Sequence, residues 1–75
     1  MKSVDITLKR NEQVSALVNI TNRYPYVITL RQGRYVVDGK SILGVFSLQR
    51  SQPILLEAYS DNCDALMDDL QPLIC

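Results

Sequence analysis

The chain has 75 residues, eight basic, eight acidic and none histidine, with 47% apolar and 21% charged side chains. That balance is too hydrophobic for a disordered segment, and the length suits one small compact unit. Zero formal charge speaks against a nucleic-acid binder, no run approaches the ~18 apolar residues of a membrane span, and charges interrupt Val4 to Lys9 where a leader would be apolar.

A single cytoplasmic domain over 1–75, without membrane attachment, is therefore the expectation. All the basic residues lie at or before Arg50, and most of the acidic ones at or after Glu57. Such asymmetry is compatible with an electropositive face or with uneven decoration of a solvated surface. The two cysteines, Cys63 and Cys75, are too far apart for a CxxC motif, and no histidine is available to share a metal site. They read as a buried thiol and an incidental one.

Val4, Ile6 and Leu8 alternate with Asp5, Thr7 and Lys9, the pattern of a strand with one buried face. Val14, Leu17, Val18 and Thr21 then recur at helical spacing, which predicts a helix from about Asn11 to Arg23, closed by Pro25. Tyr26 to Leu30 and Tyr35 to Asp38 read as two antiparallel strands, with Gln32-Gly33 supplying the positive φ of a tight hairpin. Ile28, Leu30, Tyr35 and Val37 are expected to face the core.

Ser41 is suited to cap a short helix running to Leu48. In that helix Ile42, Leu43, Val45, Phe46 and Leu48 spread over roughly 220° at 100° per residue, wider than the ~100° stripe one core needs. Val45 and Leu48 fit the core side, leaving Ile42, Leu43 and Phe46 for the surface unless neighbours fold over them. Ile54, Leu56 and Ala58 form a last strand. Asp61 or Asn62 is expected to cap a final helix burying Cys63, Leu66, Met67, Leu70, Leu73 and Ile74, with Pro72 ending or bending it. The predicted order is βαββαβα, an α+β open-faced sandwich: a four-stranded antiparallel sheet covered on one face by helices. Leu17, Val18, Ile28, Leu30, Val45, Leu56, Leu66 and Leu70 are expected to be buried together.

The segment Lys40-Ser41-Ile42-Leu43-Gly44-Val45-Phe46-Ser47-Leu48 resembles the regulatory-serine segment of HPr, the phosphocarrier of the bacterial sugar phosphotransferase system, which reads Lys-Ser-Ile-Met-Gly-(Val/Leu)-Met-Ser-Leu. The likeness runs without gaps from Asn22-Arg23-Tyr24 to Leu48, and Val4 to Lys9 and Ala65-Leu66 look like the family's first strand and final helix. It implies the HPr fold, whose element order is the one predicted above. The family's phosphorylated loop, Gly-Leu-His-Ala-Arg-Pro, has no counterpart: Arg10-Asn11-Glu12-Gln13 is shorter and lacks the glycine, histidine and proline. A phosphoryl carrier needs a nucleophilic nitrogen that can also leave, so histidine phosphocarrier chemistry is not expected.

What the resemblance does carry over is Ser41, matching the serine that a dedicated kinase phosphorylates in HPr of many Gram-positive bacteria. The plain alternative is that Ser41 is only a helix cap. One family branch, the catabolite-repression HPr, also lacks the active histidine and acts through its serine phosphate as corepressor for a transcription factor. By that comparison the chain is a divergent, non-catalytic regulatory or adaptor protein. Ser41 is its candidate phosphorylation site, and Lys40, Ile42, Leu43 and Phe46 its candidate partner-binding residues. The implied partner is a protein: a component of the phosphotransferase system, a serine kinase or a transcription regulator, with the chain itself a monomer or weak homodimer. The competing reading is a domain that kept only the fold, unrelated to sugar transport. A nucleic-acid module would have to use Lys9, Arg31 and Arg34 on the open sheet face, against zero net charge and few aromatic residues for stacking. An enzyme is not expected, nor any cofactor or metal, because no cysteine–histidine, serine–histidine, metal or glycine-rich phosphate motif is present.

Overall fold

Residues 1–74 are described by the computed structural model; Cys75 lies outside them. The elements in chain order are β1 (Lys2–Ile6), α1 (Asn11–Thr21), β2 (Ile28–Gln32), β3 (Tyr35–Asp38), α2 (Ile42–Phe46), β4 (Ile54–Ala58) and α3 (Asp64–Leu70), followed by a 3₁₀ turn at Gln71–Leu73. The strands form one antiparallel sheet in the order β1-β4-β2-β3, so the α+β βαββαβα architecture is present.

Alternation decides which side of the sheet is buried. In register across the strands, Val4 and Ile6 face Leu56 and Ile54, Leu30 lies between Leu56 and Val37, and Ile28 lies opposite Ala58. On this face they meet Val14 and Leu17 of α1, Val45 of α2 and Leu66 and Leu70 of α3, in one cluster that also holds Leu8, Leu48, Cys63 and Leu73. Val18 is half-buried against the cluster rather than inside it. The opposite face carries Asp5, Glu57, Thr29, Arg31, Val36 and Asp38, the intervening residues of the four strands.

Several boundaries differ from the periodicity, each for a local reason. The helix predicted to Arg23 stops at Thr21 because the amides of Arg23 and Tyr24 bond three residues back, to the carbonyls of Ile20 and Thr21 (3.1 and 3.2 Å). The second strand starts at Ile28 and reaches Gln32, since the two-residue hairpin loop is Gly33-Arg34, with Gly33 at φ 60°. Tyr35, predicted to face the core, is 71% exposed. It shares the helix-side face with Val37 but lies next to the hairpin loop on an edge strand, and the short α2 shelters Val37, whose Cβ is 3.3 Å from where a Gly44 Cβ would stand. The final helix begins at Asp64 with Cys63 in the cap position; neither Asp61 nor Asn62 caps it, because a turn in which Ser60 Oγ accepts the Asn62 amide (3.2 Å) occupies those positions. The short helix ends at Phe46, and Ser47 Oγ closes it by donating to the Gly44 carbonyl (2.6 Å).

Candidate functional site

The turn from β3 into α2 is built to a narrow tolerance. Asp38 Oδ1 accepts the Lys40 amide (2.9 Å), and the Asp38 carbonyl accepts the Ser41 amide (3.1 Å). Gly39 donates to the Ile28 carbonyl (2.8 Å), and a Cβ at Gly39 would stand 3.0 Å from both that oxygen and Ile28 Cγ2, so only glycine fits without a shift. From α1, the buried Thr21 hydroxyl donates to the Gly39 carbonyl (2.7 Å) and Asn22 Nδ2 donates to the Lys40 carbonyl (3.1 Å). Two consecutive carbonyls just before Ser41 are thus held by the end of one helix while the next begins.

Ser41 is half-buried and extended (φ −96°, ψ 117°), and its Oγ accepts the Gly44 amide at 3.2 Å. It is an N-cap, satisfying one of the amides that a helix start leaves without an intrahelical acceptor. Lys40 is half-buried, and its ammonium donates to the Tyr24 carbonyl (2.5 Å). Beyond Ser41, Ile42, Leu43 and Phe46 are 40%, 80% and 41% exposed, while Val45 and Leu48 go inward. The Arg50 guanidinium lies 5.3 Å from the centre of the Phe46 ring, donates to the Leu48 carbonyl (2.7 Å), and forks onto Asn11 Oδ1 (3.2 and 3.3 Å) at the start of α1. An apolar patch with a cation against one side is the result.

Two neighbouring features complete the region. Tyr24 donates its hydroxyl to Asp69 Oδ2 (2.5 Å), an oxygen that Arg23 Nη1 also approaches (3.4 Å). That hydrogen bond first, then desolvation and the carboxylate's charge, push the Tyr24 pKa up to about 12. At the start of α1, Gln13 Oε1 accepts the amides of both Lys9 (2.6 Å) and Arg10 (3.2 Å), so two backbone donors of the short loop before α1 are filled from within.

Ser41, Ile42, Leu43 and Phe46 share one turn-and-helix surface, with Lys40 tied back beneath it. Arg50, Asn22 and Gln13 were not singled out from sequence, and Thr21 only as part of the inward face of α1. Arg50 lies in the turn beyond α2, where no helical spacing announces its contact with Phe46, whereas Gln13 stands three beyond the cap Arg10, the spacing of a capping box. The proposed nucleic-acid trio does not assemble as a sheet-face cluster: Lys9 follows β1, Arg34 is in the hairpin loop, and Arg31 pairs with Glu57 at 3.4 Å. Among the described residues no group of three or more histidine, cysteine or acidic side chains is placed to hold a metal ion. No described helix is long and apolar enough to cross a membrane.

No family model matches the sequence, and no curated protein does. Solved structures do match. HPr-C-His from Thermoanaerobacter tengcongensis superposes with a TM-score of 0.81 at 23% identity, covering 99% of this chain and 91% of that one. The phosphocarrier protein HPr from Bacillus anthracis str. Ames gives 0.75 at 20% identity, over 99% and 94% of the two chains. The chain has the HPr fold over nearly its whole length.

Proposed function

We propose that this is a non-catalytic regulatory or adaptor protein related to the sugar phosphotransferase system, which engages a protein partner through α2 and does not carry phosphate on histidine. The observation that carries the reading is the apolar surface of Ile42, Leu43 and Phe46 in an HPr fold whose sequence contains no histidine. Gln13 supports it, since its Oε1 already takes the amides of Lys9 and Arg10, two of the donors before α1 that could have faced a phosphoryl group. Ser41 is the proposed switch: a phosphate there adds about −2 charge beside the docking residues and would draw Lys40 away from the Tyr24 carbonyl.

A second reading is favoured by the Ser41 hydroxyl's engagement as a cap: a fold-only interaction domain in which the serine is structural. Treatment with an HPr serine kinase, followed by mass measurement of the wild type and of Ser41→Ala, separates the two. One phosphate on the wild type and none on the variant supports the switch, and no phosphate on either leaves the cap as the whole role of Ser41. Incubation with phosphoenolpyruvate and the upstream phosphotransferase enzyme should give no acid-labile phosphate; an acid-labile adduct would refute the non-carrier reading.

A further inference from the structure

The sheet has two edges, and the chain treats them differently. On β1, Ile6 bridges to Ile74 and the Thr7 amide donates to the Leu73 carbonyl (2.9 Å), so one end of that edge is closed by the chain itself, and the exposed side chains nearby include Lys2 and Asp5. On the other side β3 is the last strand, and it displays Tyr35 and Val36 at 71% and 49% exposure. Natural edges are usually blunted by charge, proline or cover, because unpaired amides and carbonyls invite another strand. The middle of β3 has no such protection.

Hydrogen-bond alternation fixes which groups face out. Gln32 and Tyr35 flank a two-residue loop and form the bonded pair of the hairpin, so Val37 also bonds to β2, while Val36 and the amide of Asp38 turn outward. The Asp38 carbonyl is taken by Ser41. If two copies pair about a two-fold through Val36, the outward groups match. Each Val36 exchanges both bonds with the partner's Val36, and each Asp38 amide donates to the carbonyl of the partner's Arg34.

Side chains agree with that register. Arg34, in the hairpin loop just before β3, comes level with the partner's Asp38, and Asp38, on the open face, with the partner's Arg34; Tyr35 falls opposite the partner's Val37 on the helix side. Arg34 and Asp38 are exposed, and neither has an ion-pair partner among the described residues. Slipping the register by two residues would set Val36 against the partner's Asp38 in one direction and the partner's Arg34 in the other, a charged side chain either way. We propose that the free β3 edge is the docking site for a second copy of this chain, joined antiparallel at Val36 into a continuous sheet and registered by two Arg34–Asp38 pairs. So short a ladder falls below the ~1,200 Å² buried by stable interfaces, so the dimer is weak and needs high protein concentration to form.

Sedimentation velocity from about 10 μM to about 1 mM tests it. The weight-average mass should rise from 8.5 kDa toward twice that value. Arg34→Asp and Asp38→Arg should each stay monomeric, because like charges then face one another. An equal mixture of the two should dimerise again, since every aspartate meets an arginine. Val36→Lys, a solvent-facing change, should be folded by circular dichroism and monomeric; it carries the test alone if Asp38→Arg disturbs the turn before Ser41. A wild type that remains at 8.5 kDa throughout overturns the proposal and leaves the edge to some other extended segment. A dimer equally strong in the single charge variants and in Val36→Lys places the contact elsewhere and overturns it too.

Discussion

Thr21, buried in the last turn of α1, donates its hydroxyl to the carbonyl of Gly39 across eighteen residues of sequence (2.7 Å). The bond fixes the position of the turn that delivers Ser41, because the neighbouring Asn22 holds the next carbonyl in the same way. Replacing Thr21 by valine keeps the shape and removes the donor. A buried carbonyl left without its partner costs about 1–3 kcal/mol. Urea denaturation should show that loss, and amide exchange at Gly44 should quicken as the capped turn loosens. An unchanged midpoint would mean water replaces the hydroxyl without penalty.

Substitution of Leu43 and Phe46 together by glutamate tests whether the α2 surface is a surface. Both side chains are more than a third exposed, whereas Leu17 is wholly buried. The double variant should lose under about 1 kcal/mol, the range for surface changes with few contacts, most of it from the Phe46–Arg50 contact. Leu17→Ala should lose ~2–5 kcal/mol. If the double variant unfolds, α2 is part of the core and cannot be a docking face.

Tyr24 gives the fold an alkaline limit. Its pKa, ordinarily 10.0, is pushed up to about 12 in the folded chain by the bond to Asp69. A group whose pKa is raised by folding contributes stability fully below the unfolded value, and that contribution fades as pH climbs through the folded one. Stability should therefore fall between about pH 10 and pH 12. Tyr26, raised chiefly by burial, adds to the same slope. Ultraviolet titration of Asp69→Asn should show one tyrosine ionising nearer its ordinary pKa; the absence of any displaced tyrosine would disprove the Tyr24–Asp69 bond.

Ser51 is the one described residue other than glycine with a positive φ, at 65°. Its amide donates to the Leu8 carbonyl (2.8 Å), which holds the approach to β4 against the end of the first strand segment. A side chain in the left-handed region costs roughly 1–2 kcal/mol, partly offset by the larger entropy glycine gives up on folding. Ser51→Gly should raise stability by about 0.5–1 kcal/mol in chemical denaturation. A loss would assign the Ser51 side chain a contact that outweighs its backbone strain.

Periodic apolar residues made the architecture legible: Ile6 and Leu8, Val14 and Leu17, and Ile54, Leu56 and Ala58 are buried as their spacing requires. Tyr35 was misread because alternation reports which side of a sheet a residue faces and not how far the covering helix reaches. The cap of α3 was misread because the polar groups of Ser60 and Asn62 satisfy each other instead of the helix. Around Ser41, the exposed apolar arc was visible in the sequence, but the polar tethers were not. Thr21, Asn22 and Lys40 reach backbone carbonyls sixteen to eighteen residues away, and a carbonyl acceptor has no signature in the letters of a sequence.

Gln13 also limits what a single substitution can build before α1. By holding the amides of Lys9 and Arg10, its Oε1 gives those two donors of the turn before α1 an acceptor from within the chain. A histidine placed at Arg10 would enter a turn in which the amides of Lys9 and Arg10 are already committed, so one substitution does not create a phosphate cradle. Building one requires inserted residues and release of Gln13 together. Each change alone would disturb the helix start before any new chemistry appeared, so the two have to be made at once.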